Sequence, residues 1–228
     1  TKPATANLMY RFGGIDYYKQ AEKFDIASWD SYPTWHREKE WETAQETAFW
    51  HDVIYGLKRK PFLLMESTPG ATNWQEVSKL KKPGMLEAAA LQSIAHGADG
   101  SMYFQLRKSR GSEEKFHGAV IDHYDGRDTR TFQEVCAAGN MLELVGEVAG
   151  SHKEAKAAVL YDWENCWAME GAKGPRNEGL HYQESVEKSH RALRRLGLNV
   201  DVIDQRCPLD GYRFVAAPMQ YLFREGFS

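Results

Sequence analysis

The sequence predicts an α/β protein, and two observations indicate this class. Short apolar segments recur along the chain, and stretches with helical spacing of apolar residues separate them. Polar and turn-forming residues follow each apolar segment. Alternation of this kind is typical of a parallel sheet with helices packed outside it. Gly150-Ser151-His152 forms a boundary, so we expect one domain over residues 1–150 and the start of a second over 151–228.

Four strand–helix units are expected in the first domain. The predicted strands cover residues 4–9, 24–33, 61–66 and 101–106, and the helices that follow them lie within 17–23, 34–60, 85–95 and 131–148. Asp16 stands where an N-cap would, and His96, before Gly97, is interpreted as a partner of the third helix dipole. Four such units form half of an eight-stranded barrel or else a small open sheet. Both folds carry their chemistry at the carboxyl ends of the strands.

The second domain shows a shorter repeat of the same pattern. Strands are expected at residues 155–160, 199–203 and 214–217, with a helix at 180–196. This order is typical of the start of a doubly wound domain, here with few strands. The segment Asp162-Trp163-Glu164 leaves the first of these strands, and we expect it to pack at the interface between the domains.

Composition and charge argue against several classes of function. A formal net charge of −3 without Lys/Arg runs does not fit a nucleic-acid partner. No apolar run approaches the roughly 20 residues that span a bilayer, so no membrane partner is expected. Cys136, Cys166 and Cys207 are widely spaced and form no metal motif, and we therefore expect no metal or cofactor in this chain. Free thiols fit a reducing, cytoplasmic location.

Glu66 is the leading catalytic candidate. It ends the apolar segment Phe62-Leu63-Leu64-Met65, which places one acid at the rim of the predicted core and at the carboxyl end of a strand. An isolated acid at such a position is more often a cap or a structural ion pair. The residues predicted to surround Glu66 therefore decide how it is interpreted.

Two loops supply groups that suit a sugar ligand. Trp74 lies eight residues after Glu66, and the segment Glu114-Lys115-Phe116-His117 follows the next predicted strand. Such a set offers acceptors and a donor for hydroxyl groups, and aromatic faces for sugar C–H groups. The alternative is that Glu114 and Lys115 form a solvated loop and that Phe116 fills the core.

Other predicted strand ends also carry polar groups. The second strand ends in Asp30 and Tyr32, and the fourth ends in Gln105 and Arg107. Asp30 suggests a two-carboxylate mechanism with Glu66, of the kind that glycosidases use. The polar residues next to Asp30 favour a supporting, hydrogen-bonded role for it instead.

The motifs taken together resemble one family. The matching segments are Thr5-Ala6-Asn7-Leu8-Met9, Ser28-Trp29-Asp30-Ser31-Tyr32-Pro33, Leu64-Met65-Glu66-Ser67-Thr68-Pro69, Asn73-Trp74, Ala95-His96-Gly97-Ala98-Asp99, Tyr103-Phe104-Gln105, Glu114-Lys115-Phe116-His117-Gly118-Ala119, Asp162-Trp163-Glu164-Asn165 and Ala217-Pro218-Met219. In this order, they are similar to the second half of the catalytic barrel, and the start of the following domain, of glycoside hydrolase family 42 β-galactosidases. The matches extend over nearly the whole chain.

The resemblance implies a retaining β-galactosidase built on a (β/α)8 TIM barrel. Glu66 matches the nucleophile on strand seven, and Trp74 matches the substrate-binding tryptophan. Glu114 to His117 match the galactose-binding segment, and Tyr32 is counted with the substrate-binding residues. Residues 151–228 resemble the start of the family's flavodoxin-like trimerisation domain, which implies a homo-oligomer, by resemblance a trimer.

One departure limits what the resemblance implies. The family's acid/base glutamate follows an asparagine at the end of strand four, and no Asn-Glu pair precedes Thr5. The family's zinc-binding cysteines also belong to that earlier part. We therefore expect a fragment that carries the nucleophile and has negligible activity alone. The alternatives are an oligomerisation or sugar-binding module without catalysis, and a related glycosidase that acts on α-L-arabinopyranosides.

Overall fold

The protein contains two parallel sheets covered by helices. The computed structural model describes residues 2–10, 12–124, 126–172, 174–175 and 178–227. The first sheet has four strands in chain order, and the second has three strands with the first of them in the centre. All paired strands run parallel. This arrangement confirms the predicted α/β class, and four strands side by side in chain order are the arrangement of adjacent barrel strands.

The first sheet and its helices occupy residues 7–144. The strands are β1 (Asn7–Leu8), β2 (Ser28–Asp30), β3 (Phe62–Glu66) and β4 (Ala98–Ser101), and the helices are α1 (Tyr17–Ala21), α2 (Glu40–Gly56), α3 (Met85–Ala95) and α4 (Arg130–Leu144). Asp16 caps α1, since its side chain accepts from the backbone N–H groups of Tyr18 and Lys19. The predicted N-cap is therefore confirmed.

The second sheet follows a short 3₁₀ turn at Gly146–Val148. Its elements are β5 (Ala157–Leu160), α5 (Trp163–Gly171), α6 (Tyr182–Arg195), β6 (Val200–Ile203) and β7 (Phe214–Ala216). Every residue of β5 and β6 is buried, as expected for strands covered on both faces. The predicted strands and helix of this part all form, with ends shifted by at most two residues.

Two sequence predictions are wrong. The fourth strand was expected at 101–106, but it is Ala98–Ser101, because Gly97 adopts a φ of +96° and turns the chain directly from α3 into the sheet. After it, the backbone leaves the sheet, and the N–H of Gln105 bonds to the carbonyl of Gly118. Helix α5 was not predicted. Its N-cap Asp162 accepts from the N–H of Asn165, a signal that the preceding apolar strand obscured.

The two sheets share one hydrophobic core. Buried residues of α1, α2 and the first sheet pack together with those of β5, β6 and α6 in a single cluster. The Tyr18 hydroxyl donates to the Val202 carbonyl at 2.9 Å, and the Trp163 indole N–H donates to the Phe12 carbonyl at 3.3 Å. Trp163 therefore packs between the two parts, as the sequence predicted.

A buried carboxylate joins the two parts as well. Asp52 on α2 is fully buried and accepts from His96 Nδ1 at 2.8 Å, His190 Nε2 at 2.7 Å and Lys153 Nζ at 2.6 Å. Burial opposes ionisation of Asp52, yet His96 and Lys153 hold the pKa of this carboxyl well below its usual range. Lys153 also reaches Asp201 of β6 at 3.6 Å. The interpretation of His96 as a helix-dipole partner is therefore incomplete, since its ring binds a buried anion.

Among the helices of the described residues, none is long and apolar enough to cross a membrane.

We expect Asp52→Asn to lower the free energy of unfolding by about 3–5 kcal/mol, because it leaves the buried Lys153 with Asp201 at 3.6 Å in place of the Asp52 carboxylate at 2.6 Å. Urea unfolding monitored by circular dichroism measures this loss. Asp210→Asn, at an exposed turn position, is the matched control and should change stability by at most about 0.5 kcal/mol. Equal effects of the two substitutions would contradict a role for Asp52 in joining the parts.

Candidate active site

The carboxyl ends of β2 and β3 bring two acids side by side. Asp30 and Glu66 are direct partners across the two parallel strands. Neighbouring strands lie about 4.8 Å apart, so the two side chains leave the sheet next to each other. The predicted strand-end acids therefore meet at one edge of the sheet.

Two donors hold the carboxylate of Glu66. The Tyr32 hydroxyl donates to Oε1 at 2.6 Å, and the Asn7 side-chain amide donates to Oε2 at 3.2 Å. Burial and the bond to Glu66 raise the pKa of Tyr32 far above its usual range, so the phenol keeps its proton and remains a donor. Each oxygen of Glu66 is thus oriented by a separate residue, Tyr32 just after β2 and Asn7 on β1, which positions the carboxylate as a nucleophile requires.

Asp30 has a different environment. Its Oδ1 atom is enclosed and has no hydrogen-bond partner among the described residues. Burial, and then the charge of Glu66, raise the pKa of Asp30 to about 7, while a bond with Asn7 acts in the opposite direction. At neutral pH, this carboxyl therefore exists in part as the neutral acid.

An aromatic group stands beside the acids. The rings of Tyr32 and Trp74 meet edge to face with centroids 5.4 Å apart, and those of Tyr32 and His117 are 5.6 Å apart. Trp74 remains 63% exposed, which leaves a face of the indole open to a ligand. Aromatic faces of this kind pack against the C–H groups of sugars. Tyr32 therefore connects the carboxylate to both candidate sugar-binding loops.

His117 places a buried imidazole beside Tyr32. Asn73 donates its amide to the Glu113 carbonyl at 3.1 Å, so its oxygen accepts from His117 Nδ1 at 2.8 Å. Burial lowers the pKa of His117, which keeps the ring neutral at pH 7. Nε2 is buried and has no partner of good hydrogen-bond geometry among the described residues, although the Phe104 backbone acts to raise the pKa of the ring. A ligand hydroxyl is the kind of group that would satisfy it.

The side chains of the segment that precedes His117 point in different directions. Glu113–Phe116 forms a 3₁₀ turn whose side chains are exposed. Glu114 Oε2 lies 3.5 Å from Asn73 Nδ2, on the side of the site. Lys115 points outward, with its ammonium 4.9 Å from the centre of the Phe116 ring. Phe116 is 67% exposed, so the alternative in which it fills the core is wrong.

A cavity of about 540 Å³ opens beside these groups, a volume suited to a small-molecule ligand. Its wall includes Asp30, Tyr32, Trp74 and Gln75. A second, more open depression of about 510 Å³ lies on the other side of Trp74, against Lys115 and Phe116. Trp74 therefore forms a wall shared by the two spaces.

Sequence reasoning missed the residues that support this site. Asn7 and Asn73 orient Glu66 and His117, and Gln75 donates to the Tyr32 carbonyl at 2.9 Å. Gln105, expected at a strand end, is buried and donates to the Glu114 carbonyl at 2.9 Å, so it supports a loop. The position of Asn73 next to Trp74 was the signal in the sequence that could have indicated its supporting role.

The donor set fits no metal ion. Within the described part of the chain, no group of three or more His, Cys, Asp or Glu side chains is arranged to hold one. The three cysteines are free thiols.

Two family models match the chain. One is described as β-galactosidase, of glycoside hydrolase family 42, and covers residues 1–145; the other is described as the β-galactosidase trimerisation domain and covers residues 155–228. A β-galactosidase of Alicyclobacillus acidocaldarius is 53% identical over 99% of the chain and 33% of its own length. A β-galactosidase of Clostridium perfringens is 45% identical over 98% of the chain and 33% of its length. The chain spans about a third of the length of these relatives.

Solved structures match the chain over a similar share of its length. The cold-adapted β-galactosidase of Rahnella sp. R3 superposes with a TM-score of 0.95 at 55% identity, over 99% of this chain and 33% of that protein. The family 42 β-galactosidase Gan42B superposes with a TM-score of 0.94 at 43% identity, over 98% of this chain and 34% of its own. These superpositions extend over both sheets.

The backbone around Gly118 is where the two loops of the site pack most closely, and a substitution there measures how much this packing stabilises the protein. A Cβ on Gly118 would lie 2.8 Å from Thr68 Oγ1 and from the Ala71 N–H nitrogen, and the Gly118 N–H already bonds to the Ala71 carbonyl at 2.7 Å. We expect Gly118→Ala to reduce the free energy of unfolding by about 1–3 kcal/mol through overpacking. Gly111→Ala meets nothing within 4 Å and serves as the control in the same denaturation series. A Gly118 variant as stable as the Gly111 variant would show that the loops are not clamped there.

Proposed function

The chain belongs to the family 42 β-galactosidases, and from this premise we propose that it supplies the nucleophile and the galactose-binding loops of a retaining β-galactosidase. The observation that carries the proposal is the setting of Glu66, whose two oxygens each accept a hydrogen bond, one from Tyr32 just after β2 and one from Asn7 on β1. A nucleophilic carboxylate must be ionised and fixed in orientation. The donors Tyr32 and Asn7 supply the fixed orientation.

The reaction begins with attack by Glu66 on the anomeric carbon of a terminal β-D-galactosyl group. The bond from that carbon to the leaving oxygen breaks as the bond to the carboxylate forms, which produces a covalent galactosyl-enzyme. Tyr32 keeps its proton, so it orients Glu66 without competing as a base. Water then displaces Glu66 and releases galactose with retained configuration.

The loops after β3 and β4 recognise the sugar. The exposed face of Trp74 packs against sugar C–H groups, and the buried Nε2 of His117 accepts from a hydroxyl. Glu114 adds a carboxylate acceptor on the same side. Two kinds of acceptor beside an aromatic face support a hexose with several free hydroxyl groups as ligand.

The acid/base carboxyl, we propose further, is not one of the 228 residues. The family's Asn-Glu pair would precede the first strand, and the sequence holds no such pair there. Without it, a poor leaving group cannot be protonated and water cannot be activated, each of which is worth about 10²–10⁴-fold in rate. The nucleophile would still react with a substrate whose leaving group needs no proton.

This division predicts a stalled reaction for the purified chain. With 2,4-dinitrophenyl β-D-galactoside, we expect release of about one equivalent of dinitrophenolate and then a stop, because no base activates water for the second step. Azide should restore turnover and yield β-galactosyl azide, since it needs no base. Absorbance measures the release, and mass spectrometry should find galactose on the peptide that contains Glu66.

Glu66→Gln is the control for that experiment, because the amide keeps the shape of the side chain and removes the nucleophile. It should abolish both the release and the labelling. Release that persists in Glu66→Gln would exclude Glu66 as the nucleophile. Sustained hydrolysis of methyl β-D-galactoside without azide would show that the chain contains its own acid/base.

Self-association is the second function we propose, and the match of residues 155–228 to a trimerisation domain supports it. The chain then contributes contacts between subunits as well as half of a site. Light scattering over a range of concentrations should give three times the mass of one chain, and a mass of one chain at every concentration would contradict it.

A further inference from the structure

The irregular register between β2 and β3 places Asp30 opposite Glu66. Ser28 and Trp29 pair with Leu63 and Leu64, and the next pair is Asp30 with Glu66, so one residue of β3 is passed over. In regular pairing, Asp30 would face the residue before Glu66. A β-bulge of this kind redirects side chains and is common beside active sites. Here it brings two carboxyls to the same level of the sheet.

We propose that Asp30 and Glu66 act as a pair that holds one proton, that Asp30 carries this proton, and that Glu66 thereby keeps the single negative charge. Asp30 is then a positioning residue, which acts through Glu66 and does not form a bond with the substrate. The inference rests on the proposed function only in that Glu66 is the nucleophile. The arrangement of the proton is a property of the chain itself.

The proton resides on Asp30 because the two carboxyls are solvated differently. Glu66 accepts one hydrogen bond on each oxygen, and such donors stabilise the ionised form. Asp30 has an enclosed Oδ1 without a partner among the described residues, and the bond with Asn7 is the compensation that these residues show. Two adjacent carboxyls in a poorly hydrated site oppose each other's ionisation. The proton that the pair holds therefore resides on Asp30, whose Oδ1 has no donor among the described residues, and Glu66, with a donor on each oxygen, keeps the charge.

The groups around Asp30 agree with this assignment. Those that face it or share its cavity are Glu66 on β3, Asn7 on β1, Tyr17 on α1, Tyr32 just after its own strand, and Arg37 and Glu46 on the cavity wall. Asn7 is neutral and both tyrosines keep their protons, so they add no charge. Arg37 is paired with Glu46 at 3.2 Å. The charge that acts most directly on Asp30 is therefore that of Glu66.

The test is a pH titration of the purified chain with ¹³C-labelled aspartate carboxyls, followed by NMR without any substrate. Asp30→Asn identifies the Asp30 resonance. We expect it to titrate with a midpoint of about 7. In Glu66→Gln, the midpoint should fall by about one unit, because the neighbouring charge is gone while the shape is kept.

Glu76→Gln is the matched control, since it removes an exposed carboxylate that does not line this cavity and should leave the Asp30 midpoint in place. A midpoint at or below about 5 would overturn the proposal, as it would mean an Asp30 ionised at neutral pH. So would a midpoint near 7 that Glu66→Gln does not move. The titration needs no catalysis, so a chain that fails to react with the dinitrophenyl substrate but titrates as expected refutes the function and not the pair.

Discussion

The structure depends on one buried charge, that of Asp52. Its carboxylate lies between α2, the end of α3, Lys153 and α6, and it accepts a hydrogen bond from each of the last three. A buried anion is stable only while its partners remain, because desolvation costs several kcal/mol per ion. The two sheets must therefore be assembled together. Since α2 also packs against the first sheet, the second sheet helps to fix the strands that carry the site.

The positions of the site groups follow from strand register more than from loop shape. Glu66, at the end of β3, is oriented by residues of β1 and of the segment after β2. The irregular register at Trp29/Asp30 places the Asp30 carboxyl opposite Glu66. The loops are then joined to each other, for example by the short bond from the Gly118 N–H to the Ala71 carbonyl. A frame of short parallel strands gives the precision that an attacking carboxylate needs, and the loops remain open to a ligand.

Much of this arrangement could be predicted from the sequence. Strand β3 ends in its acid because an apolar run stops at Glu66, and α3 follows from its spacing and its final glycine. The contacts of Asn7, Asn73 and His190 could not be predicted, since each joins residues 44 or more positions apart. The sequence named no partner for His190 at all. Hydrogen bonds of this kind depend on tertiary geometry, and periodicity carries no information about them.

The role of Glu66 in the site follows from the positions of the residues that hold it. The described groups that hold Glu66 come from β1 and from the segment just after β2, which are distant from it in sequence and reach it through the sheet. In the proposed reaction, the leaving group departs on the side of the anomeric carbon opposite the nucleophile. The carboxyl that would protonate it must then reach the sugar from that opposite side. The proposed role of Glu66 is therefore one half of a pair.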